Sequence, residues 1–171
     1  MKSIFRIVCL LLLGIWVGAA IFFSAAVAPN VFGALREAGI ANSSTVAGSI
    51  VARLLSILNR GGFELAVFIL VMSFFLTYGQ TKLRRITQMI SVAIMAIMTG
   101  LGHWVVAARM ATLRTAMQLP IDQIAPTDPR RIEFDSLHRY SVAMFLVAIV
   151  AALVAFILLA RKSEPPAVAG G

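Results

Sequence analysis

The chain has 171 residues, 60% of them hydrophobic, a single cysteine and a formal net charge of +8. One cysteine excludes an intramolecular disulfide. The positive charge does not indicate nucleic-acid binding, because the Lys and Arg residues lie at the ends of apolar stretches and no basic stripe alternates with stacking aromatic residues.

Four long stretches of the sequence carry no Asp, Glu, Lys or Arg, and about 20 apolar residues suffice for a helix to cross a bilayer core. The sequence therefore predicts an all-α integral membrane protein, with four transmembrane helices in one bundle and an amphipathic helix between spans one and two. The expected spans are residues 4–28, 63–79, 86–108 and 140–160. Together they make one membrane domain over residues 1–162, followed by a disordered tail at residues 163–171.

The first span begins after Lys2 and Arg6. It is longer than the apolar core of a signal peptide, about 7–15 residues, so we expect it to remain uncleaved. Pro29 disfavours a helical conformation at the residue before it, which predicts that the first helix ends at Ala28. Trp16 lies about 15 Å along the helix from Arg6, deeper than the usual interfacial belt. Its indole N–H therefore needs a partner inside the bundle, supplied either by packing or by a ligand.

Residues 46–59 have the pattern of an amphipathic helix, with apolar side chains on one stripe and Ser or Arg on the other face. Such a helix lies on the membrane or docks on the bundle. Gly61 and Gly62 follow, and they either end this helix or bend it. The alternative is one continuous helix over residues 46–76 with only its second half in lipid, and periodicity does not separate the two.

The helices of spans three and four continue beyond the lipid. The apolar pattern of span three runs on to Met117, and a loop with two prolines follows. Asp128 followed by Pro129 is typical of an N-cap and a first helical residue, so we expect the last helix to start there and to run to Ala160.

The density of Lys and Arg sets the expected orientation. Seven of these residues lie in the two termini and the short connection between spans two and three, with only Glu164 opposing them, whereas eight are spread over the two long connections. The sequence thus predicts a multi-pass protein of the cell membrane with both termini in the cytoplasm. Expected partners are membrane lipids and either a second copy or a partner membrane subunit, with no nucleic acid.

Three ionisable residues fall at the same membrane side when the spans alternate in direction: Glu64 begins span two, His103 ends span three and His138 precedes span four. An ionisable residue inside a span is a functional candidate, and His103 meets this description best, as a metal ligand, a proton relay or a ligand contact. The structural alternatives are a hydrogen bond from His103 to another helix and an ion pair between Glu64 and Arg60.

Metal and cofactor sites have little support in the sequence. His103 and His138 are the metal candidates, and with Glu64 they complete a site only if the three converge, because their spacing matches no metal signature. The eight methionines suit Cu(I) chemically but are also ordinary packing residues. We predict no cofactor, with haem or copper as the least favoured alternative. No phosphate loop or nucleophile elbow is present in the sequence, which favours a non-enzymatic protein.

Small residues let helix backbones approach closely in lipid. Gly14 and Gly18 form a G-x-x-x-G pattern in span one, and Gly100 and Gly102 lie in span three. These glycines predict packing within the bundle or a contact face for a homodimer.

Three segments carry a family resemblance. The first span reads Gly14-Ile-Trp-Val-Gly18 and runs into Ala28-Pro-Asn-Val-Phe-Gly33, and the last helix begins Phe134-Asp-Ser-Leu-His-Arg-Tyr-Ser141. In this order the chain resembles a bacterial membrane family built on a domain of unknown function and related to eukaryotic transmembrane protein 205. The resemblance implies a multi-span helical protein without an agreed activity. It implies family-typical residues at Trp16, Gly18, Pro29, Phe32, Phe134, Leu137, His138 and Ser141. The family pattern often has Asn a few residues after the serine, where this chain has Met144 and Phe145.

Three functions therefore compete. The first is a non-enzymatic membrane protein that binds or conducts a small ligand or ion at its outer rim, with Glu64, His103, His138, Ser141 and Trp16 as the contact candidates. The second is a structural or accessory subunit that packs with partner helices. The third, and least favoured, is a membrane redox protein that holds haem or copper.

Overall fold

The computed structural model describes residues 2–76, 81–117 and 119–161, and all regular secondary structure in these ranges is helical. The first long helix consists of α1 (Lys2–Phe22), a π-helical turn (Phe23–Val27) and α2 (Ala28–Glu37). The second is α3 (Ser43–Leu76). The third consists of α4 (Lys82–Leu101), a second π-helical turn (Gly102–Ala107) and α5 (Ala108–Met117). The fourth is α6 (Pro129–Ala160), which follows a 3₁₀ turn at Ile121–Gln123.

The prediction of four membrane-spanning helices is confirmed, because four helices of 31 to 36 residues are long and apolar enough to cross a membrane. At 1.5 Å per residue such helices are about 45–55 Å long, whereas the hydrocarbon core of a bilayer is about 30 Å thick. Each helix therefore extends beyond the hydrocarbon core. We call the end that carries the connections at residues 38–42 and 118–128 the outer end, and the end that carries the chain termini the inner end.

The four helices pack as a square in cross-section. α1 contacts α3 and α6, and α4 contacts the same two helices. The core between them is closed by fully buried side chains such as Leu13, Ile69 and Met95. Four alanines allow the close approach that lipid-embedded helices use in place of a hydrophobic driving force. These are Ala66, Ala148, Ala152 and Ala155, all of them buried.

A second, smaller core lies at the outer end. It comprises Val106, Met110, Leu113, Met117, Ile124 and Phe134. The guanidinium of Arg114 stands over the ring of Phe134, 5.2 Å from its centroid, in a cation–π contact. α5 and the first turns of α6 are therefore held together at the outer end by their own apolar contacts. The predicted extension of span three to Met117 is confirmed.

The predicted helix end at Pro29 is wrong, since the first long helix runs on to Glu37. Proline lacks an N–H, and its ring clashes with the carbonyl four residues earlier in a regular helix. Here the π-helical turn Phe23–Val27 ends two residues before Pro29 and widens the helix there. Pro29 then occupies the first turn of α2, where a missing N–H is tolerated.

The two alternatives for residues 46–76 resolve into one continuous helix. α3 passes through Gly61 and Gly62 without a break, and the amphipathic segment is its first half. The predicted start of the last helix is confirmed, because the carboxylate of Asp128 accepts the backbone N–H of Arg130 at 2.8 Å. The tail predicted at residues 163–171 lies outside the described residues.

Candidate functional site in the outer half of the bundle

Trp16 has a partner inside the bundle, as its depth required. Its indole nitrogen donates a hydrogen bond of 2.9 Å to the carbonyl of Leu58 on α3. The indole lies against Gly62, where a Cβ atom would be only 2.7–2.8 Å from three atoms of the ring. The sequence singled out Gly62 only as a helix end or bend, because the requirement for a glycine comes from a side chain 46 positions away.

Three buried aromatic rings meet beside this contact. The ring of Phe145 on α6 lies edge-on to Trp16, with 6.1 Å between centroids, and edge-on to Phe23, with 6.2 Å. This edge-to-face arrangement is the favoured one for aromatic pairs. Phe23 is also the first residue of the π-helical turn in the first long helix. We call these three rings the aromatic floor.

His103 lies on the second π-helical turn and meets α3 there. A hydrogen bond of 3.1 Å joins its Nδ1 to the hydroxyl oxygen of Ser56. Its ring also stands edge-on to Trp104, whose own ring stands edge-on to Phe63 at 4.8 Å. The sequence-based alternative of a cross-helix hydrogen bond from His103 is therefore present, and its partner is a serine that the sequence did not single out.

Asn59 is a second polar residue that sequence reasoning missed. Its side chain is only 3% exposed, and its carboxamide forms no hydrogen bond with any described residue. It faces Gly102, where a Cβ would be 3.1 Å from the amide nitrogen. A signal was available in the sequence, because Asn59 follows Leu55 by four positions and so interrupts the apolar stripe of the amphipathic segment.

One face of α6 leads from the outer surface to the aromatic floor. An open depression of about 430 Å³ is lined by Ile132, Asp135, His138 and Arg139. Ser141 comes three residues after His138, and Phe145 comes four residues after Ser141. Side chains at these spacings share one face of a helix, and seven residues of helix span about 10 Å. Ser141 is 8% exposed, and its hydroxyl forms no hydrogen bond with a described residue.

The first long helix covers the inner part of α6 but not its outer part. α1 packs against α6 and α3, but α2, beyond the π-helical turn, packs mainly against α3. None of the α2 residues is buried. Beyond the π-helical turn, the first long helix therefore packs mainly on α3 and no longer on α6.

The structure does not bring Glu64, His103 and His138 together as a metal-binding group. Within the described ranges, no three His, Cys, Asp or Glu side chains are placed to hold one ion. Glu64 instead accepts a hydrogen bond of 2.9 Å from Nε of Arg60, and both side chains are largely exposed. The alternative of an Arg60–Glu64 ion pair is therefore present.

The glycines divide between internal packing and an open face. A Cβ at Gly14 would contact Phe156 at 3.5 Å, and one at Gly100 would contact Phe63 at 3.1 Å. Gly102 faces Asn59, so three of the four glycines pack inside the bundle. Gly18 has no neighbouring atom within 4 Å of a built Cβ, so this position is free for a partner.

A protein-family model described as "Domain of unknown function (DUF4149)" matches residues 11–118, which is more than half of the chain. The chain belongs to the DUF4149 family. The matched segment contains Trp16, Ser56, Asn59 and His103 and ends before His138. No curated protein and no solved structure matches this DUF4149 protein.

Proposed function

We propose that this multi-pass membrane protein is non-enzymatic and binds a small ligand or ion at its outer end, along the α6 face formed by His138, Ser141 and Phe145. One observation carries the proposal. The exposed imidazole of His138 borders an open depression, and one helical turn deeper the hydroxyl of Ser141, a residue that is 8% exposed, forms no hydrogen bond with a described residue.

The hydroxyl of Ser141 differs from the other buried hydroxyls in the helices. Those of Ser73, Ser91 and Thr99 each donate to the carbonyl four residues earlier in their own helix. A ligand oxygen or a coordinated ion at Ser141 would give this hydroxyl a partner that the described residues do not supply. The aromatic ring of Phe145 then limits how deeply the ligand enters.

Binding fits the outer end better than catalysis does. Ser56 and His103 are a hydroxyl and an imidazole within hydrogen-bond distance, but no described acidic side chain orients the histidine. A serine nucleophile is ordinarily activated by a base that a third group holds in place. We therefore assign the pair a role in shaping the bundle around the binding face.

The proposed location is the cell membrane with both chain termini in the cytoplasm. Seven Lys and Arg residues are concentrated in the two termini and the short connection of the inner end, whereas eight are spread over the two long connections of the outer end. The higher density of basic residues in the short segments supports this orientation under the positive-inside rule. We also propose the relationship to eukaryotic transmembrane protein 205, on the motifs at residues 14–33 and 134–141.

A ligand screen on the full-length protein tests the proposal. The protein in mild detergent is heated with a panel of metal ions, amino acids, sugars and organic acids, and its thermal midpoint is recorded. We expect a saturable rise with at least one compound, lost in His138→Ala and Ser141→Ala. Ser49→Ala is the matched control, because the hydroxyl of Ser49 donates locally to Val46 on the surface of α3. A flat response across the panel, or one that both α6 variants retain, contradicts the proposal.

A second candidate function is that of an accessory subunit, as a homo-oligomer or with a partner membrane protein. Gly18 favours it, because its surface is open and a larger side chain there meets no atom of this chain within 4 Å. Gly18→Leu should leave the thermal midpoint of the isolated protein unchanged and abolish copurification of a stoichiometric partner. If Gly18→Leu leaves copurification unchanged, the surface at Gly18 is not the contact with the partner.

A further inference from the structure

Two arginines from different helices converge on the last carbonyls of α6 at the inner end. Arg6, near the start of α1, donates from Nε to Leu159 at 2.7 Å and from Nη2 to the carbonyls of Ala160 and Arg161 at 2.6 and 2.8 Å. Arg84, in the first turn of α4, donates from Nη2 to Leu158 at 2.8 Å and also bonds the carbonyl of Arg161. Arg6, Arg84 and Arg161 form what we call the arginine cluster.

The arginine cluster carries more positive charge than the described part of the chain neutralises. The C-terminus of a helix has a partial charge of roughly −0.5, which offsets less than one of the three guanidinium groups. Among the described residues, no acidic side chain forms an ion pair with a member of the cluster. Lys82 and Arg85 lie beside it in sequence and are exposed, so they add to the excess.

The arginine cluster lies at the edge of the lipid-facing apolar belt. Exposed apolar side chains lie within about one turn of each member, among them Ile7 on α1, Ile86 on α4 and Ile157 on α6. At this depth the group of opposite charge that surrounds the protein is the phosphodiester of a phospholipid headgroup. Basic pockets between transmembrane helices bind such headgroups on the side where cations are concentrated.

We propose that the arginine cluster binds the phosphate group of an anionic phospholipid, which thereby ties the inner ends of α1, α4 and α6 together. The carbonyls of α6 hold Arg6 and Arg84 in place before the lipid arrives, which lowers the entropy cost of binding. Arg161 differs from the other two, because it contributes only its backbone carbonyl to these hydrogen bonds and its side chain is exposed. This site is at the opposite end of the bundle from the α6 binding face and does not depend on it.

Native mass spectrometry of the full-length protein tests the inference. The delipidated protein is titrated with phosphatidylglycerol and, separately, with phosphatidylcholine of the same acyl chains, and the fraction with one bound lipid gives each dissociation constant. Arg161→Gln removes one charge and keeps every hydrogen bond of the cluster. Arg53→Gln removes one charge from the exposed outer part of α3 and is the matched control.

We expect tighter binding of phosphatidylglycerol than of phosphatidylcholine. Arg161→Gln should raise the dissociation constant for phosphatidylglycerol about fivefold, the usual effect of one basic residue near an anionic lipid surface. Arg53→Gln should leave it unchanged. Equal binding of the two lipids, or equal effects of the two variants, overturns the inference. If millimolar inorganic phosphate displaces the lipid from the wild type but not from Arg161→Gln, the site is one for free phosphate, and the assignment to lipid is wrong.

Discussion

The indole nitrogen of Trp16 reaches the carbonyl of Leu58 directly across Gly62. In a regular α-helix the carbonyl of Leu58 accepts the N–H of Gly62, so it has one lone pair left for the indole. Only a residue without a side chain at position 62 leaves the indole room to approach. The contact between the first and second long helices therefore depends on a steric notch and a hydrogen bond at the same place.

Gly62→Ala is expected to destabilise the protein by about 1–3 kcal/mol, the usual cost of overpacking, because its Cβ would overlap the indole ring. Gly61→Ala is the matched control, since a Cβ there meets nothing within 4 Å and alanine favours a helix. Thermal midpoints in lipid nanodiscs measure both effects. Similar midpoints for the two variants would show that the indole does not occupy the notch.

Trp16→Phe keeps an aromatic ring beside Phe145 but loses the hydrogen bond to Leu58. We expect a loss of about 1 kcal/mol, in the range found for cross-helix hydrogen bonds in membranes. Trp104→Phe removes the other tryptophan, which is 53% exposed, and should have a smaller effect on unfolding by denaturant. If Trp104→Phe is the more damaging of the two, the internal hydrogen bond is not a main stabilising contact.

The features that sequence could predict are those that a single segment specifies. Uncharged length defined the four spans, and the Asp128–Pro129 pair defined the start of α6. The depth of Trp16 implied an internal partner, but its identity could not be read, because Leu58 and Gly62 lie on another helix. The two π-helical turns could not be predicted from the sequence for a similar reason. Pro29 alone predicts a helix end, and only the wider turn before it lets the helix continue.

Asn59→Leu is expected to stabilise the protein. Asn59 is 3% exposed and forms no hydrogen bond with a described residue, so its replacement by an apolar side chain should raise the free energy of unfolding by up to about 1 kcal/mol. Leucine has nearly the same shape and needs no partner. Asn30→Leu is the control, because the amide of Asn30 is exposed and donates to Ala26 at 2.7 Å. A lower thermal midpoint for Asn59→Leu than for wild type would show that the amide is satisfied in the membrane.

The N-cap of α6 makes the stability of the folded protein depend on pH. Hydrogen bonds from the side chain and the backbone N–H of Arg130 lower the pKa of the Asp128 carboxyl. A carboxyl whose pKa is lower in the folded state stabilises the folded protein. This contribution is fully present above the unfolded pKa, about 3.9, and is lost as the pH falls through the folded pKa. Asp128→Asn keeps a capping oxygen but does not titrate.

We therefore expect the thermal midpoints of wild type and Asp128→Asn to converge as the solution is acidified below about pH 4, with the wild type higher at neutral pH. Differential scanning fluorimetry across pH 2.5–7 measures the difference. A difference that is constant over this range would mean that the carboxylate does not contribute through its charge.

The accessibility of the α6 face tests the central claim most directly. In a Cys9→Ala background, single cysteines replace His138, Ser141 and Ala148, the last of which is fully buried. Intact cells are treated with a small, charged, membrane-impermeant thiol reagent, and the labelled fraction is followed over time. The account predicts rapid labelling of His138→Cys, slower but complete labelling of Ser141→Cys and none of Ala148→Cys. If Ser141→Cys reacts no faster than Ala148→Cys, or if His138→Cys reacts only after the cells are opened, the outer binding face does not exist.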